Sequence, residues 1–255
     1  MTRARARGFP LAVLLTAALV ASGCGAGTRT EGTTLTVLAA ASLTESFREM
    51  GERFERAHPD VEVRFNFQGS ALLAERIRQG AGGDVFASAD RAMMNRVVRA
   101  GAVAERPRTF ATNRLTVVVP PSNPAGVRAL SDLAAEDVSV VVCAPRVPCG
   151  AATERVETVS GVRLNPVSEE NDVKDVLHKV EVGEADAGLV YVTDAEAAGD
   201  KVRTVDFPAS ERVTNEYPLA TLEAAEHPDT AEAFVEFVRG DRGRRILREY
   251  GFGTP

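Results

Sequence analysis

An α/β protein of two doubly wound lobes with a ligand cleft between them is the fold this sequence predicts. Three observations predict it. Strand-like and helix-like segments alternate along residues 33–255. The strands are too many for one small sheet, and the chain is too short for a large barrel with full-length helices. The composition, 44% hydrophobic and 26% charged over 255 residues, is globular and sufficient for one large domain or two lobes of about 100 residues each.

The elements follow in order. "LTVLAA" (35–40) is an apolar strand, and the helix after Ser42 carries Leu43, Phe47, Met50 and Phe54 on one stripe until His58-Pro59 ends it. "VEVRFNF" (61–67) alternates as a strand with one buried face, and "ALLAERIRQG" (71–80) is a helix stopped by Gly80. "DVFASAD" (84–90) is a short buried strand, and "RAMMNRVVRAG" (91–101) a helix. A second series opens with the strand "RLTVVVPP" (114–121). It continues through strand 138–144, helix 150–161, strand "VRLNPVS" (162–168), helix 171–185 and strand "AGLVYV" (187–192). Strand-like stretches at 202–207 and 217–223 and two short helices complete the pattern. Largely parallel sheets are expected from this alternation.

The first two dozen residues stand apart. Arg3, Arg5 and Arg7 precede an apolar run at 11–21 and the small residues "SGC", which reads as a secretory signal over residues 1–23. The run is too short to span a membrane, which takes roughly 20 apolar residues. "ASGC" resembles a lipobox, with Ala21 where leucine is more usual; Cys24 is then the lipid anchor and residues 24–32 a polar tether. The alternative is a plain secretory signal cut nearby. Loss of the leader removes three arginines and no acid, taking the formal charge from −6 to −9. No dense basic patch remains, which argues against nucleic acid as a partner. Cys143 and Cys149 are left in "CAPRVPCG"; in an exported chain they form either a short intraloop disulfide or two buried thiols.

Chemistry gathers where strands end and helices begin, the place where ligands sit in such sheets. Ser42 occupies one such junction. With Glu45 three residues on it fits a capping box, and an anion seat is the other reading. The arrangement recurs at Gly69-Ser70, at Pro148-Cys149-Gly150 and at Asp172-Val173. Each junction offers unpaired N–H groups and the positive end of a helix. Converging on one cleft, they could hold a small oxyanion without lysine or arginine.

In "TVLAAASLTESF", "FNFQGSALLAERI", "GDVFASAD", "NRLTVVVP", "VPCGAATERV", "ENDVKDVLHKVEVGEADAGLVYVTDA" and "EYPLATLE" the chain resembles the molybdate-binding proteins, the extracytoplasmic components of molybdate ABC importers. These stretches run through nearly the whole mature sequence in the family's order. The resemblance implies two lobes of the type II periplasmic-binding-protein kind that close on one tetrahedral oxyanion. It places the ligand serines at Ser42 and Ser70, backbone donors at Cys149 and Val173, and the ligand tyrosine at Tyr191. Cys149 stands where relatives often carry alanine, in a turn about one residue shorter than in some of them; only its N–H is required. The implied ligand is molybdate or tungstate, with no cofactor and no resident metal. The implied partners are a membrane-embedded ABC permease and, through Cys24, the outer face of the cytoplasmic membrane; the protein itself is expected to be a monomer.

Lobe one is expected to hold residues 33–112 and 216–255, lobe two residues 113–215, with the hinge at Thr112-Asn113 and Asn215-Glu216. Sulfate or another tetrahedral oxyanion is the second reading, and a secreted enzyme on the same scaffold a remote third. An enzyme is disfavoured because no G-x-S-x-G or H-E-x-x-H pattern occurs. His58 and His227 precede prolines, His178 lies within a helix, and "EEND" (169–172) reads as a solvated helix start. Asp84 and Asp90 flank an apolar strand, where hinge or capping roles are expected.

Overall fold

The computed structural model describes residues 32–255. The signal (1–23), the Cys24 anchor and all but the last residue of the tether (24–32) lie outside the described residues. Strand β1 (Thr33–Ala40) runs parallel to β2 (Val61–Gln68) and β3 (Val85–Ala87). Helices α1 (Thr44–Ala57), α2 (Ser70–Arg78) and α3 (Arg91–Arg99) follow them in turn. β4 (Arg108–Val119) then leads into β5 (Val140–Cys143), α4 (Pro148–Ser160), β6 (Ser168–Glu170), α5 (Val173–Glu181), β7 (Ala187–Tyr191), α6 (Val192–Ala198) and β8 (Arg203–Val205). β9 (Thr214–Thr221), α7 (Pro228–Arg239) and α8 (Asp241–Glu249) complete the chain.

The strands form one curled sheet in the order β2-β1-β3-β9-β4-β7-β5-β6, with β8 beside β4. β4 joins its two halves. Residues Arg108–Arg114 pair with β9, whereas Leu115–Val119 pair with β7 and β8. The hydrophobic cores divide at the same place. One draws on residues between Leu115 and Val213. Two adjoining ones draw on residues from Leu35 to Ala111 together with the chain from Tyr217 to Phe252.

The sheet is mixed, not largely parallel. β1, β2, β3 and, separately, β5, β6, β7 pair in parallel, as helical connections require. β4 and β9 carry the chain between the two halves in opposite directions, so their pairings are antiparallel. The strand expected at 162–168 is displaced to Ser168–Glu170. Pro166 cannot donate to a ladder, and Val167 is exposed. The helix α6, directly after Tyr191, was not expected from the sequence pattern.

Helices form where apolar spacing allows. Phe47, Met50 and Phe54 are the buried stripe of α1. Val173, Val176, Leu177 and Val180 are that of α5. Phe47 is fully buried and meets the rings of Phe65, Phe110 and Phe234 at centroid distances of 6.2, 5.7 and 6.2 Å. These contacts join α1 to β2, β4 and α7. Phe47→Ala is expected to lower unfolding free energy by about 3–5 kcal/mol, checked by urea denaturation.

Candidate oxyanion site

Four chain turns face a single cavity of ≈ 20 Å³ between the two halves. By the same measure one water needs about 10–15 Å³, so the space suits one small ion and excludes a sugar or nucleotide. Ser42, Ser70, Cys149, Val173 and Tyr191 all line it. Ser42 and Ser70 come from the half containing β1; Cys149, Val173 and Tyr191 come from the half containing β5 and β7. No lysine or arginine is among the lining residues.

Each residue is positioned by local chemistry. Ser70 opens α2, whose N-cap Gly69 has no side chain to occupy the first N–H groups. Gly69 is also required by packing: a Cβ there lies 2.6 Å from the Asn171 carbonyl of the opposite half. Cys149 lies in the first turn of α4, after Pro148, and no side chain caps that helix. A disulfide joins it to Cys143 at the end of β5. A Cβ at Gly150 comes 1.9 Å from the Ala144 carbonyl, so glycine lets the helix start lie directly on the strand end. Asp172 caps α5 by accepting from the N–H groups of Lys174 and Asp175 at 2.9 and 3.2 Å. That leaves the Val173 N–H, in the first turn, without a partner inside its own helix.

Ser42 does not act as the expected N-cap. It sits in a 3₁₀ turn (Ala41–Leu43), makes no capping bond, and α1 begins only at Thr44. Its Oγ instead lies 3.0 Å from the Tyr217 hydroxyl, 175 residues away in sequence. Once the 3₁₀ turn buries Ser42, that long-range contact displaces the local cap.

The three hydroxyls share one pattern: each has a neighbour that supplies a hydrogen bond. Ser70 Oγ accepts from the Ala89 N–H at 3.0 Å. Tyr191 Oη accepts from Asn215 Nδ2 at 2.7 Å. Asn113 Nδ2 donates to Tyr217 Oη at 3.5 Å, and Tyr217 Oη in turn shares a hydrogen bond with Ser42 Oγ. A hydroxyl whose oxygen already accepts keeps its own proton for something else. Ser42, Ser70 and Tyr191 hold their hydroxyls at the cavity lining. Burial raises both phenols well above the ordinary tyrosine range, so neither loses its proton.

Tyr217, Asn113 and Asn215 were not singled out as site residues from the sequence. Asn113 and Asn215 are register partners across β4 and β9. The signal was faint but present. Each asparagine interrupts an apolar strand, "TNRLTVVV" and "TNEYPLA", where asparagine is disfavoured unless it has work to do. Asp84 and Asp90 have structural partners. Asp84 accepts from the N–H groups of Thr36, Glu226 and His227, and Asp90 caps α3 through Met93.

Asp194 is the other unforeseen group. It is fully buried, and Lys174 Nζ lies 3.2 Å from its Oδ1 without hydrogen-bond alignment; neither oxygen has another side-chain partner. Burial pushes its pKa up to about 6 despite the opposing pull of Lys174. Burial disfavours the charge on Lys174, but Asp194 and Glu45 outweigh it and raise its pKa.

The sequence pattern of the bacterial extracellular solute-binding proteins matches residues 35–253. The chain belongs to that family. It is 46% identical over 251 residues to the molybdate-binding protein ModA of Mycobacterium tuberculosis strain H37Rv, covering 96% of each chain. It is 31% identical over 249 residues to the putative ABC transporter substrate-binding lipoprotein YvgL of Bacillus subtilis, covering 93% of this chain and 95% of the relative. Its fold matches the periplasmic molybdate-binding protein of Azotobacter vinelandii with a TM-score of 0.75 and 21% identity, over 87% of this chain and 99% of the other. The chain is thus a solute-binding protein, not an enzyme. Among the described residues no helix is long and apolar enough to cross a membrane.

In the folded protein Asp194 binds a proton near pH 6, whereas an ordinary aspartate does so near 3.8. Folding therefore takes up a proton between these values, and stability from Asp194 grows as pH falls from 7 to 4 and is lost as pH rises through 6. Wild type minus Asp194→Asn, compared by urea unfolding across that range, should gain about 2 kcal/mol toward acid.

Proposed function

We propose that this protein captures molybdate outside the cytoplasm and delivers it to a membrane-embedded ABC permease. The observation that carries this is the cavity itself: helix starts and three hydroxyls from two halves, with no cationic side chain in the lining. In this reading Ser42, Ser70 and Tyr191 donate through hydroxyls, and Cys149 and Val173 through backbone N–H groups. The kinship with molybdate-binding proteins supports the choice of ion.

The physics favours an ion that only accepts. A hydrogen bond to a charged group is worth about 1.5–3 kcal/mol net. Several such bonds can offset an association cost of about 4–15 kcal/mol. A phosphate that keeps a proton presents a donor to a donor and is rejected. Sulfate is the smaller competitor, discriminated by how far the halves can approach. Tungstate matches molybdate in charge and shape and is expected to bind as well. The halves act as lobes, residues 33–112 with 216–255 against 113–215, hinged where β4 and β9 cross. The lipobox-like "ASGC" and the lipoprotein relative support anchoring through Cys24. A monomer suffices, since every proposed donor lies on one chain.

Calorimetric titration of the mature protein with molybdate, tungstate, sulfate and phosphate tests this. Molybdate and tungstate should bind tightly, sulfate weakly and phosphate not at all; sulfate binding more tightly than molybdate would overturn the assignment. Ser42→Ala and Ser70→Ala should each weaken molybdate binding by about 10- to 100-fold. Tyr217→Phe leaves every cavity-lining residue in place but removes the hydroxyl that Ser42 relies on. It should weaken molybdate about three- to tenfold, measured by the same titration.

A further inference from the structure

One ion pair among the described residues joins the two cores. Lys174 Nζ lies 3.0 and 3.1 Å from the two carboxylate oxygens of Glu45. Glu45 stands in the first turn of α1, whose Phe47, Met50 and Phe54 belong to one core. Lys174 is in the first turn of α5, whose Val173, Val176 and Leu177 belong to the other. The same ammonium contacts Asp194, on α6 in that second half.

We propose that Lys174 and Glu45 form a latch across the cavity mouth that fixes how long the bound oxyanion stays, with Asp194 as its anchor. This rests on the reading of the cavity as the oxyanion site. The residues are positioning groups: none lines the cavity, and each acts through a neighbour that does. Lys174 adjoins Val173, Glu45 follows Ser42 by three positions, and Asp194 follows Tyr191 by three.

The asymmetry of the contacts makes the latch reversible. Asp194 is wholly buried and Lys174 is 28% exposed, so this pair stays with its own half. Glu45, 39% exposed, is the partner that separation of the halves removes. On opening, Glu45 returns to water and Lys174 keeps a counter-charge, so no buried charge is stranded. On closing, the pair re-forms in a partly desolvated place where attraction exceeds that of a fully exposed pair.

Glu45→Gln is the informative variant, because it leaves the buried Lys174–Asp194 contact intact. Stopped-flow measurement should show molybdate dissociating about tenfold faster with association little changed. Lys174→Met should do the same, and the double variant should be no worse than either single change. Lys174→Arg should recover most of the residence time. Wild-type dissociation from Glu45→Gln, or losses that simply multiply in the double variant, overturns the latch while leaving the molybdate site standing. If wild type binds no molybdate, the functional reading fails by itself. The latch is then decided by small-angle scattering of the ligand-free proteins: Glu45→Gln should be more open than wild type, and identical radii of gyration overturn it.

Discussion

A helix cannot satisfy its own first N–H groups. Most helix starts solve this with a side-chain cap or with water. Around the cavity the solution is withheld: α2 begins after a glycine, α4 begins with a proline after Val147, and neither has a side-chain cap. α5 is capped, but Asp172 serves the N–H groups of Lys174 and Asp175. The fold thus delivers unspent donors to one point from both halves. An occupant with negative charge on every exposed atom answers that need best.

The hydroxyls extend the same logic one step outward. Asn215 and the Ala89 N–H each sit behind a cavity hydroxyl at hydrogen-bonding distance, and Asn113 sits behind Tyr217, which in turn contacts the cavity hydroxyl of Ser42. Direction comes from these partners, not from formal charge. The charges that do lie nearby are already engaged: Lys174 by Glu45 and Asp194, and Arg155 by the side-chain oxygen of Asn215. A donor set of this kind discriminates by protonation and size, whereas a lysine would attract any anion.

Most of the architecture was legible because it rests on periodicity and on small residues at strand ends. The stripes of α1 and α5 and the alternation of β2 follow directly from spacing. Ser42, Ser70, Cys149, Val173 and Tyr191 were identified through family resemblance and helix-start chemistry, and the fold brings all five to one cavity. What escaped was whatever depends on distant partners. Ser42 looked like a cap because Glu45 stands three residues on; its actual partner, Tyr217, comes from the far end of the chain. Antiparallel pairing of β4 with β9 was invisible for the same reason. Asp194 gave no local hint of its burial, since "VTDAEAA" reads as polar in part and its helix was not anticipated.

The division of the cores has a consequence for how the polypeptide assembles. Phe47 and Met50, near the start of the described chain, share a core with Phe234, Ile246 and Leu247, near its end. The intervening half, from Leu115 to Val213, draws almost wholly on one continuous stretch. Loop closure is costlier for contacts far apart in sequence. The half that is translated first is therefore completed last, and the exported chain must keep its opening aromatic surface waiting until the final two helices arrive.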